Sequence, residues 1–427
     1  MTAYDVIIIG GGVVGCAILR ELSAAGFRCV LLEKDEHLIS GASSGNSGIS
    51  HTGFDATGST LENRLLSQSQ QKMKQFVAST ETQINDLGAL MVAWDENQLA
   101  ALPQLEERAK KKGVTAVRRL SREEVIELEP HINRAVRGGM LIEGEAVIDS
   151  WLFPVYMAHQ AKCIGAEVES SQPVFFDQSL SLTQILCKHE ATNGIQRSDG
   201  QWEIETSQGN ILGSIVINAA GLQGDNIQEM SQDSHFRIQP RMGQYVVMDK
   251  EASKYINHII LPVPTSITKG IIVFPSVYGN VVVGPTAEEV EIREHPQTSK
   301  ETLQQLIKHA SDVIPALKDV EVVGSYAGIR PATQFKDYQI YANRDRSWVT
   351  VAGIRSTGVS ACLGIASHVK SLVSGDIGLK PSGPTRELPK LRVADGLDSE
   401  GNVLVDDTPY HVTHPLSKFG RRLESKL

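Results

Sequence analysis

The feature that most constrains the fold is the opening run DVIIIGGGVVGCAILRELSAAGFRCVLLE, which occupies residues 5–33. Its pattern predicts a buried parallel strand, a glycine turn, a helix and a second strand that ends in an acid. Gly10, Gly12 and Gly15 have G-x-G-x-x-G spacing, in which the first glycine makes the turn, the second admits a pyrophosphate and the third lets helix and strand pack closely. Glu33 is placed to accept ribose hydroxyls. The run therefore predicts a binding unit for an adenine dinucleotide, and an ordinary glycine turn is the alternative.

Two further features favour FAD over a nicotinamide cofactor. The motif begins at residue 5 and carries an additional glycine, Gly11, an arrangement that resembles the opening of glutathione-reductase-like flavoproteins. A loop of small residues at 41–48 follows Glu33, and small side chains let backbone amides approach a flat ring system. We therefore predict an α/β protein in which a Rossmann-like FAD-binding domain of the glutathione-reductase type is combined with a second domain.

The order of strand-like and helix-like segments predicts that the two domains are interleaved in sequence. Residues 236–328 are rich in short β runs, which is typical of a mostly antiparallel β substrate domain. The strand-like segment 348–352, with the glycine turn and helix that follow it, returns to the first domain. The predicted division is residues 1–88, 143–235 and 329–379 for the discontinuous FAD-binding domain, 89–142 and 236–328 for the substrate domain, and 380–427 for a C-terminal extension.

Composition narrows the classes of function. A net charge of −9 and a pI near 5.8 argue against a general nucleic-acid binder or a binder of anionic membranes. No stretch approaches the roughly 18 uninterrupted apolar residues of a membrane span. Five scattered cysteines without a C-x-x-C pair predict neither a disulfide framework nor a metal site. His411 and His414 lack further ligand residues, so we interpret them as part of a polar surface loop.

The last three residues, Ser425, Lys426 and Leu427, match the S-K-L address that a peroxisomal import receptor reads. Arg421 and Arg422 precede them in a polar tail, which predicts an accessible signal. A chance match is the alternative. Because an oxidase that makes hydrogen peroxide has a reason to be in that organelle, we expect a peroxisomal location and the import receptor as a partner.

His51 lies beyond the small-residue loop, in the run S-H-T-G at 50–53. Oxidation of an alcohol or amine by hydride transfer requires a proton to leave the heteroatom, and a base with a pKa near the working pH suits that step. Histidine, whose unperturbed pKa is about 6.5, is a common choice. Spacing alone leaves two interpretations open: His51 is the base, or it only hydrogen-bonds the loop.

Eight short runs occur in one order along the chain: SSGNSGISHTGFD (43–55), EGEAVID (143–149), NAAG (218–221), RMGQYVV (241–247), TKGIIVFP (268–275), GNVVVGPTA (279–287), AGIRP (327–331) and VAGIRSTG (351–358). Together they resemble the FAD-dependent glycerol-3-phosphate oxidases and dehydrogenases of the short, soluble bacterial type. That family lies within the D-amino-acid-oxidase-like superfamily, close to L-2-hydroxyglutarate dehydrogenase. The resemblance extends from residue 4 to about residue 375, and T-K-G, G-P-T-A and G-I-R-P are its most selective runs.

Position by position, the resemblance implies roles for several side chains. His51 matches the base beside the flavin ring, and Lys269 matches a lysine near the substrate and flavin. Arg330 matches the arginine that binds the anionic group of the substrate, and Ser356 matches a serine of the flavin-side turn. Arg355, in the same glycine-flanked turn, is expected to contact both substrate and cofactor. Since an arginine fork suits phosphate or carboxylate, these cations imply an anionic substrate.

The predicted cofactor-binding residues combine the glycine motif, the acidic end of the second strand, the small-residue loop and two later turns. They are Gly10, Gly12, Gly15, Glu33, Lys34, Ser43, Ser44, Asn46, Ser47, Gly48, Ala220, Gly221, Gly328, Arg355, Ser356, Thr357 and Gly358. No metal site is predicted. Arg355 and Thr357 depart from residues that are frequent in the family at these positions, which leaves the identity of the substrate open.

The resemblance implies oxidation of a small anionic alcohol, first of all sn-glycerol 3-phosphate to dihydroxyacetone phosphate, with dioxygen as acceptor and hydrogen peroxide as product. No cysteine follows Cys362, so the iron–sulfur extension of the anaerobic dehydrogenases is not expected, and electrons pass from flavin to dioxygen or a soluble acceptor. One alternative is a 2-hydroxy acid such as L-2-hydroxyglutarate, or an amino acid, as substrate. Another is a non-catalytic, flavin-bound assembly protein.

Overall fold

The computed structural model describes residues 3–56, 58–80, 82–164, 183–264, 270–394 and 396–421. Its strands, in chain order, are β1 (Tyr4–Ile9), β2 (Cys29–Leu32), β3 (Ile49–Ser50), β4 (Ile84–Asp86), β5 (Ala89–Ala93), β6 (Val117–Ser121), β7 (Gly138–Ile142), β8 (Ala146–Ile148), β9 (Thr183–Leu186), β10 (Ala191–Gln196), β11 (Trp202–Thr206), β12 (Gly209–Asn218), β13 (Ile238–Met248), β14 (Ile259–Pro262), β15 (Ile272–Pro275), β16 (Val281–Gly284), β17 (Glu288–Glu289), β18 (Val322–Thr333), β19 (Gln339–Asn343), β20 (Trp348–Ala352), β21 (Asn402–Val405) and β22 (Thr408–His411). Its α-helices are α1 (Val13–Ala24), α2 (Leu61–Ser79), α3 (Glu96–Lys111), α4 (Arg122–Leu128), α5 (Leu152–Cys163), α6 (Gly224–Gln228), α7 (Lys300–Val313), α8 (Gly358–Ser371) and α9 (Pro415–Arg421).

The first sheet is built around β1. Strands β12, β1, β2 and β9 lie side by side and parallel, and β20 adds a further parallel pairing to β12. Strands β10, β11 and β19 are antiparallel additions. Helices α1, α5 and α8 pack against one face, and Trp202 and Trp348 are buried in the cluster on the other face. Because both faces are covered, the apolar runs of β1 and β2 are continuous, and the predicted Rossmann-like fold is confirmed.

The glycine turn joins β1 to α1 with no room for side chains. Gly10 has a φ of +113°, a conformation that glycine adopts without strain. A Cβ on Gly15 would lie 1.9 Å from the backbone oxygen of Gly10, so the first turn of α1 packs directly on the end of β1. This is the close packing that the third glycine of the motif predicts.

The second sheet has the order β17-β13-β16-β15-β14-β5-β7-β6, with β18 on the other edge of β13. Its pairings are antiparallel except that of β14 with β5, as predicted for the substrate domain. Helices α4 and α7 pack in the cluster on one face, whereas Tyr245 and Tyr326 on the other face join Ile49 and Phe54 from the region of the first domain. Strand β18 continues to Thr333 and passes through the predicted domain boundary at 329.

The C-terminal extension packs against both sheets rather than hanging from the fold. Val403 and Val405 of the β21–β22 hairpin are buried in the core of the first domain, whereas Leu416 of α9 is buried in the core beside the second sheet. The Arg421 guanidinium donates to the Oδ2 atom of the fully buried Asp149 at 2.5 Å. The segment therefore connects the two domains.

The interpretation of His411 and His414 as a polar surface loop is wrong for His414. That side chain is fully buried, and burial lowers its pKa to about 4. Its ring Nε2 lies 3.1 Å from the backbone oxygen of Asn46, and its Nδ1 accepts a hydrogen bond from the Leu416 amide. His411 is half-buried and stacks on His37. The sequence pattern missed this because the chain folds back onto a loop that is 368 residues away.

Within the described ranges, no helix combines the length and the apolar composition that crossing a bilayer requires.

Candidate active site

The segments predicted to bind the cofactor meet at one edge of the first sheet. Ile9 at the end of β1 is in register with Leu32 of β2 and Asn218 of β12, and Asn218 is in register with Thr350 of β20. Because parallel strands end at the same edge, the turns that follow them are neighbours. These turns contain Gly10, Gly12 and Gly15 with the start of α1, then Glu33, then Ala220 and Gly221, then Ser356, Thr357 and Gly358.

Glu33 lies where the acid of a dinucleotide site is expected. Its Oε2 atom accepts the Gly11 amide at 2.7 Å, and its Oε1 atom accepts the Asp35 amide at 2.9 Å. Burial raises the pKa of Glu33, and the two amide hydrogen bonds act in the opposite direction. A carboxylate has about four lone-pair positions, so two bonds hold its orientation and leave capacity for ribose hydroxyls.

The small-residue loop is a preformed backbone cradle, because its polar side chains bond to the loop itself and to the start of α1. Ser43 Oγ accepts the Val13 amide at the start of α1, at 3.0 Å. Asn46 donates to the Ser43 oxygen at 2.6 Å and accepts the Gly48 amide at 2.7 Å. Ser44 Oγ donates to the Gly41 oxygen. Ser47 lies half-buried in the same loop.

Two glycines bring this loop against the second sheet. A Cβ on Gly328 of β18 would lie 2.1 Å from the backbone oxygen of Gly45, and a Cβ on Gly45 would lie 2.4 Å from the Cα of Gly328. The Tyr326 hydroxyl donates to the Asn46 oxygen at 3.0 Å. Together with the glycine turn and Glu33, this cradle fits a dinucleotide that carries a flat ring between the two domains.

The assignment of Lys34 as a cofactor-binding residue stays a prediction. The Lys34 ammonium forms an ion pair with Glu294, in the segment between β17 and α7. The side chain therefore links the first domain to the second.

His51 is held by hydrogen bonds from three sides. Its amide donates to Ser360 Oγ of α8 at 2.8 Å, and its backbone oxygen accepts from Gln70 of α2 at 2.5 Å. Its ring Nδ1 lies 2.9 Å from Glu145 Oε2. Strand β3 pairs with β8 so that Ser50 faces Ala146, which places the next residue, His51, beside Glu145. About a quarter of the His51 side chain (24%) is exposed, whereas the Glu145 side chain has no exposed surface.

Arg330 lies on β18, two residues after Gly328, which contacts Gly45 of the small-residue loop. Its Nη2 atom donates to the Thr286 oxygen at 2.8 Å. A Cβ on Gly243 of the facing strand would lie 2.2 Å from that same nitrogen, so the guanidinium passes over a glycine. Burial raises the pKa of the Tyr245 hydroxyl, and the neighbouring Arg330 charge opposes this shift.

Sequence reasoning did not assign Arg241, which the β13–β18 register places directly opposite Arg330. Opposite residues of an antiparallel pair share a face, so both arginines lie on the face that carries Tyr245 and Gly328. The Arg241 Nε atom is buried and has no hydrogen-bond partner within the described part of the chain. Two like charges therefore face each other across β13 and β18, and Glu289 of β17 lies opposite Arg241 on its other side. Alternation along the run RMGQY was the signal that could have identified Arg241.

Arg355 is already paired with an acid. Its Nη2 atom donates to Glu62 Oε2 of α2 at 3.0 Å, and Thr357 Oγ1 donates to the other Glu62 oxygen at 2.7 Å. The Tyr338 hydroxyl lies 2.5 Å from Thr357 Oγ1. The network fixes the turn before α8, and the Arg355 charge is balanced by Glu62. Its assigned contacts with substrate and cofactor stay predictions, as does that of the exposed Ser356.

Lys269, predicted as a catalytic and substrate-binding residue, lies outside the described residues. The nearest described position, Gly270, precedes β15. Its assignment stays a prediction.

Comparison with known sequences identifies one family over most of the chain. The sequence model of the DAO family, FAD dependent oxidoreductase, matches residues 5–372. A protein named glycerol 3-phosphate dehydrogenase from Caloramator mitchellensis is 29% identical over 86% of this chain and 73% of its own length. The glycerol 3-phosphate oxidase of Mycoplasma pneumoniae is 29% identical over 90% of this chain and 97% of its own. The mitochondrial L-2-hydroxyglutarate dehydrogenase of Arabidopsis thaliana is 24% identical over 86% of this chain and 82% of its own.

Solved structures agree with this result. The L-alpha-glycerophosphate oxidase of Mycoplasma pneumoniae, with FAD bound, superposes with a TM-score of 0.80 at 28% identity, covering 91% of this chain and all of that chain. Glycine oxidase from Geobacillus kaustophilus superposes with a TM-score of 0.75 at 21% identity, covering 89% of this chain and 99% of that chain, and indicates the shared fold.

Proposed function

Since the chain belongs to the DAO family of FAD-dependent oxidoreductases and has FAD as its cofactor, we propose that it oxidises sn-glycerol 3-phosphate to dihydroxyacetone phosphate. Dioxygen is the proposed electron acceptor and hydrogen peroxide the second product. The relatives named for glycerol 3-phosphate support this substrate, because two of them align with 86–90% of the chain.

The observation that carries the proposal is the position of Arg330 on β18, the strand that contacts the small-residue loop. Gly328, two residues earlier, contacts Gly45 of that loop, so an anion held by Arg330 lies at the junction of the two domains. A guanidinium binds phosphate through two parallel hydrogen bonds. Arg241, opposite Arg330, adds a second positive charge suited to a phosphate dianion.

The chain supplies binding and proton transfer. Arg330 and Arg241 hold the phosphate, which fixes the position of the C2 hydroxyl. His51 accepts the hydroxyl proton as the C2–H bond breaks, so that the carbonyl of the product forms without a free alkoxide. Bound FAD supplies the redox chemistry: it takes up the C2 hydride and passes the two electrons to dioxygen.

An anaerobic absorbance titration tests the proposal. Glycerol 3-phosphate is added to the purified yellow protein without oxygen, and air is then admitted. Bleaching of the flavin band followed by rapid recovery in air is the expected result. Slow recovery would still support the proposed substrate but would contradict dioxygen as the electron acceptor. Absence of bleaching would overturn the proposed substrate.

A 2-hydroxy acid such as L-2-hydroxyglutarate is the second candidate substrate. The Arabidopsis relative supports it, and an arginine fork binds carboxylate as well as phosphate. Bleaching by this acid and not by glycerol 3-phosphate would favour it. A flavin that neither anion reduces would favour a non-catalytic protein.

Peroxisomal import by Ser425, Lys426 and Leu427 also stays a proposal, since these residues lie outside the described part of the chain. Production of hydrogen peroxide supports it, because peroxisomes contain such oxidases. A fluorescent fusion that keeps this tripeptide exposed is expected in peroxisomes, and its version without the tripeptide in the cytosol. Equal distribution of the two fusions would contradict the proposal.

A further inference from the structure

Glu145 is a fully buried carboxylate, and both of its oxygens are hydrogen-bonded to residues 51 and 52. Its Oε1 atom accepts both the Thr52 amide and the Thr52 hydroxyl, each at 2.7 Å. Its Oε2 atom lies 2.9 Å from His51 Nδ1. A buried charge is stable only when hydrogen bonds and an opposite charge compensate its lost hydration. Thr52 supplies two of these bonds, and His51 supplies the third.

We propose that Glu145 is a positioning residue that selects the protonation state of His51 for catalysis. A carboxylate only accepts hydrogen bonds, so it holds the imidazole proton on Nδ1. The Nε2 atom of the neutral ring then carries the lone pair. In the reaction, the substrate O–H bond breaks, the proton passes to Nε2, and the resulting imidazolium is stabilised by the adjacent Glu145 charge. This inference rests on the proposed function, since it presupposes His51 as the base.

The hydrogen-bond partners of His51 indicate what removal of the Glu145 charge would change. Helix α8 presents Ser360 and helix α2 presents Gln70 to the His51 backbone, and both side chains are neutral. Of these three hydrogen-bonded partners, Glu145 is the one that is charged and contacts the ring. Removing it should therefore change the tautomer of the ring and move the acidic limb of the kcat/KM profile to lower pH, because the imidazolium loses its counter-charge.

The alternative is that Glu145 only closes the loop through Thr52. The substitution Glu145→Gln separates the two roles. A glutamine oxygen can still accept from Thr52, whereas its amide group would face Nδ1 and donate to it. The ring proton would then move to Nε2, and the base would lose its lone pair. Glu143→Gln is the matched control, because Glu143 is two residues away in the same run and exposed.

The experiment measures FAD content, kcat, KM and the ¹⁵N resonances of labelled histidine in wild type, E145Q and E143Q. His51→Gln assigns the His51 signal. For E145Q we expect normal FAD content and a kcat that is lower by roughly 100-fold or more. The KM should change less than about threefold, because phosphate binding is separate. The protonated and the unprotonated nitrogen of the His51 ring should exchange. E143Q should match wild type in each respect.

Wild-type kcat with an unchanged tautomer in E145Q would overturn the proposal. If H51Q also keeps full activity, the proposed base itself is wrong; if H51Q is inactive and E145Q is active, only the role of Glu145 fails. Should E145Q not fold, the ¹⁵N resonances of His51 in the wild-type protein still test the proposal, which requires a neutral ring protonated on Nδ1. A wild-type ring protonated on Nε2 would equally contradict the proposal.

Discussion

The imidazole Nε2 of His414 lies 3.1 Å from the backbone oxygen of Asn46, which joins the C-terminal extension to the small-residue loop at 41–48. Tyr326 donates to the same oxygen from the second sheet and packs edge-on against His414. The loop is therefore held between the substrate domain and the extension. The position of the loop thus depends on the C-terminal extension, which lies outside the dinucleotide-binding motif.

Replacing His414 should destabilise the protein and weaken FAD binding. His414→Ala leaves a cavity in a fully buried position and removes the contact with Asn46, for which a loss of about 2–4 kcal/mol in the free energy of unfolding is expected. Denaturant unfolding and FAD titration of the apoprotein measure the two effects. His411→Ala, on the same segment, is the control, and equal losses in both variants would contradict the special role of His414.

The same residue predicts a pH dependence of stability. Burial lowers the pKa of His414 to about 4 in the folded state, whereas the unfolded chain has a value of about 6.5. The unfolded state binds more protons between these values, so the stabilisation by neutral His414 is complete above about pH 6.5 and is lost as the pH falls toward 4. The free energy of unfolding should decrease by about 3 kcal/mol over this range, and the slope should be smaller in His414→Gln. Parallel slopes would disprove the assignment.

Arg241 and Arg330 should contribute differently to the two candidate anions. Loss of a charge-assisted hydrogen bond weakens binding by ~1.5–3 kcal/mol, so Arg330→Gln should raise KM by roughly 10- to 150-fold for any anionic substrate. Arg241→Gln should raise KM more for the phosphate dianion than for a carboxylate. Steady-state kinetics with both substrates measures the ratio. Arg237→Gln, an exposed arginine just before β13, should change neither value, and an Arg241→Gln enzyme with wild-type KM would exclude Arg241 from the site.

Gly15 should not tolerate even a methyl group. A Cβ added to Gly15 would lie 1.9 Å from the Gly10 oxygen. A Cβ added to Gly41, at the start of the small-residue loop, would meet nothing within 4 Å. Gly15→Ala is therefore expected to abolish FAD binding or folding, and Gly41→Ala to leave the flavin content unchanged. Absorbance of the purified proteins measures both. A yellow Gly15→Ala protein would show that α1 can move away from β1.

The fold could be predicted from sequence where short-range patterns define it. Apolar runs give the strands of the first sheet, and Ser121 with Glu124 gives the capping box that begins α4. The site was predicted less completely. The expected ligand contacts of Lys34 and Arg355 stay predictions, but the sequence did not indicate that Glu294 and Glu62 would pair with these cations. A sequence gives the residue type of a cation but not the carboxylate that folding places beside it.

The sequence by itself determined the dinucleotide unit, because the glycines at 10, 12 and 15 and the acid at 33 act within one β-α-β segment. Only the tertiary structure decided the partners of His51 and Asn46. Glu145 is 94 residues from His51, and His414 is 368 residues from Asn46. Such pairs meet because sheet register and domain packing bring distant segments together, and neither residue carries a local mark of its partner. The residue types that carry the chemistry can therefore be identified from the sequence, whereas their arrangement depends on contacts between distant segments.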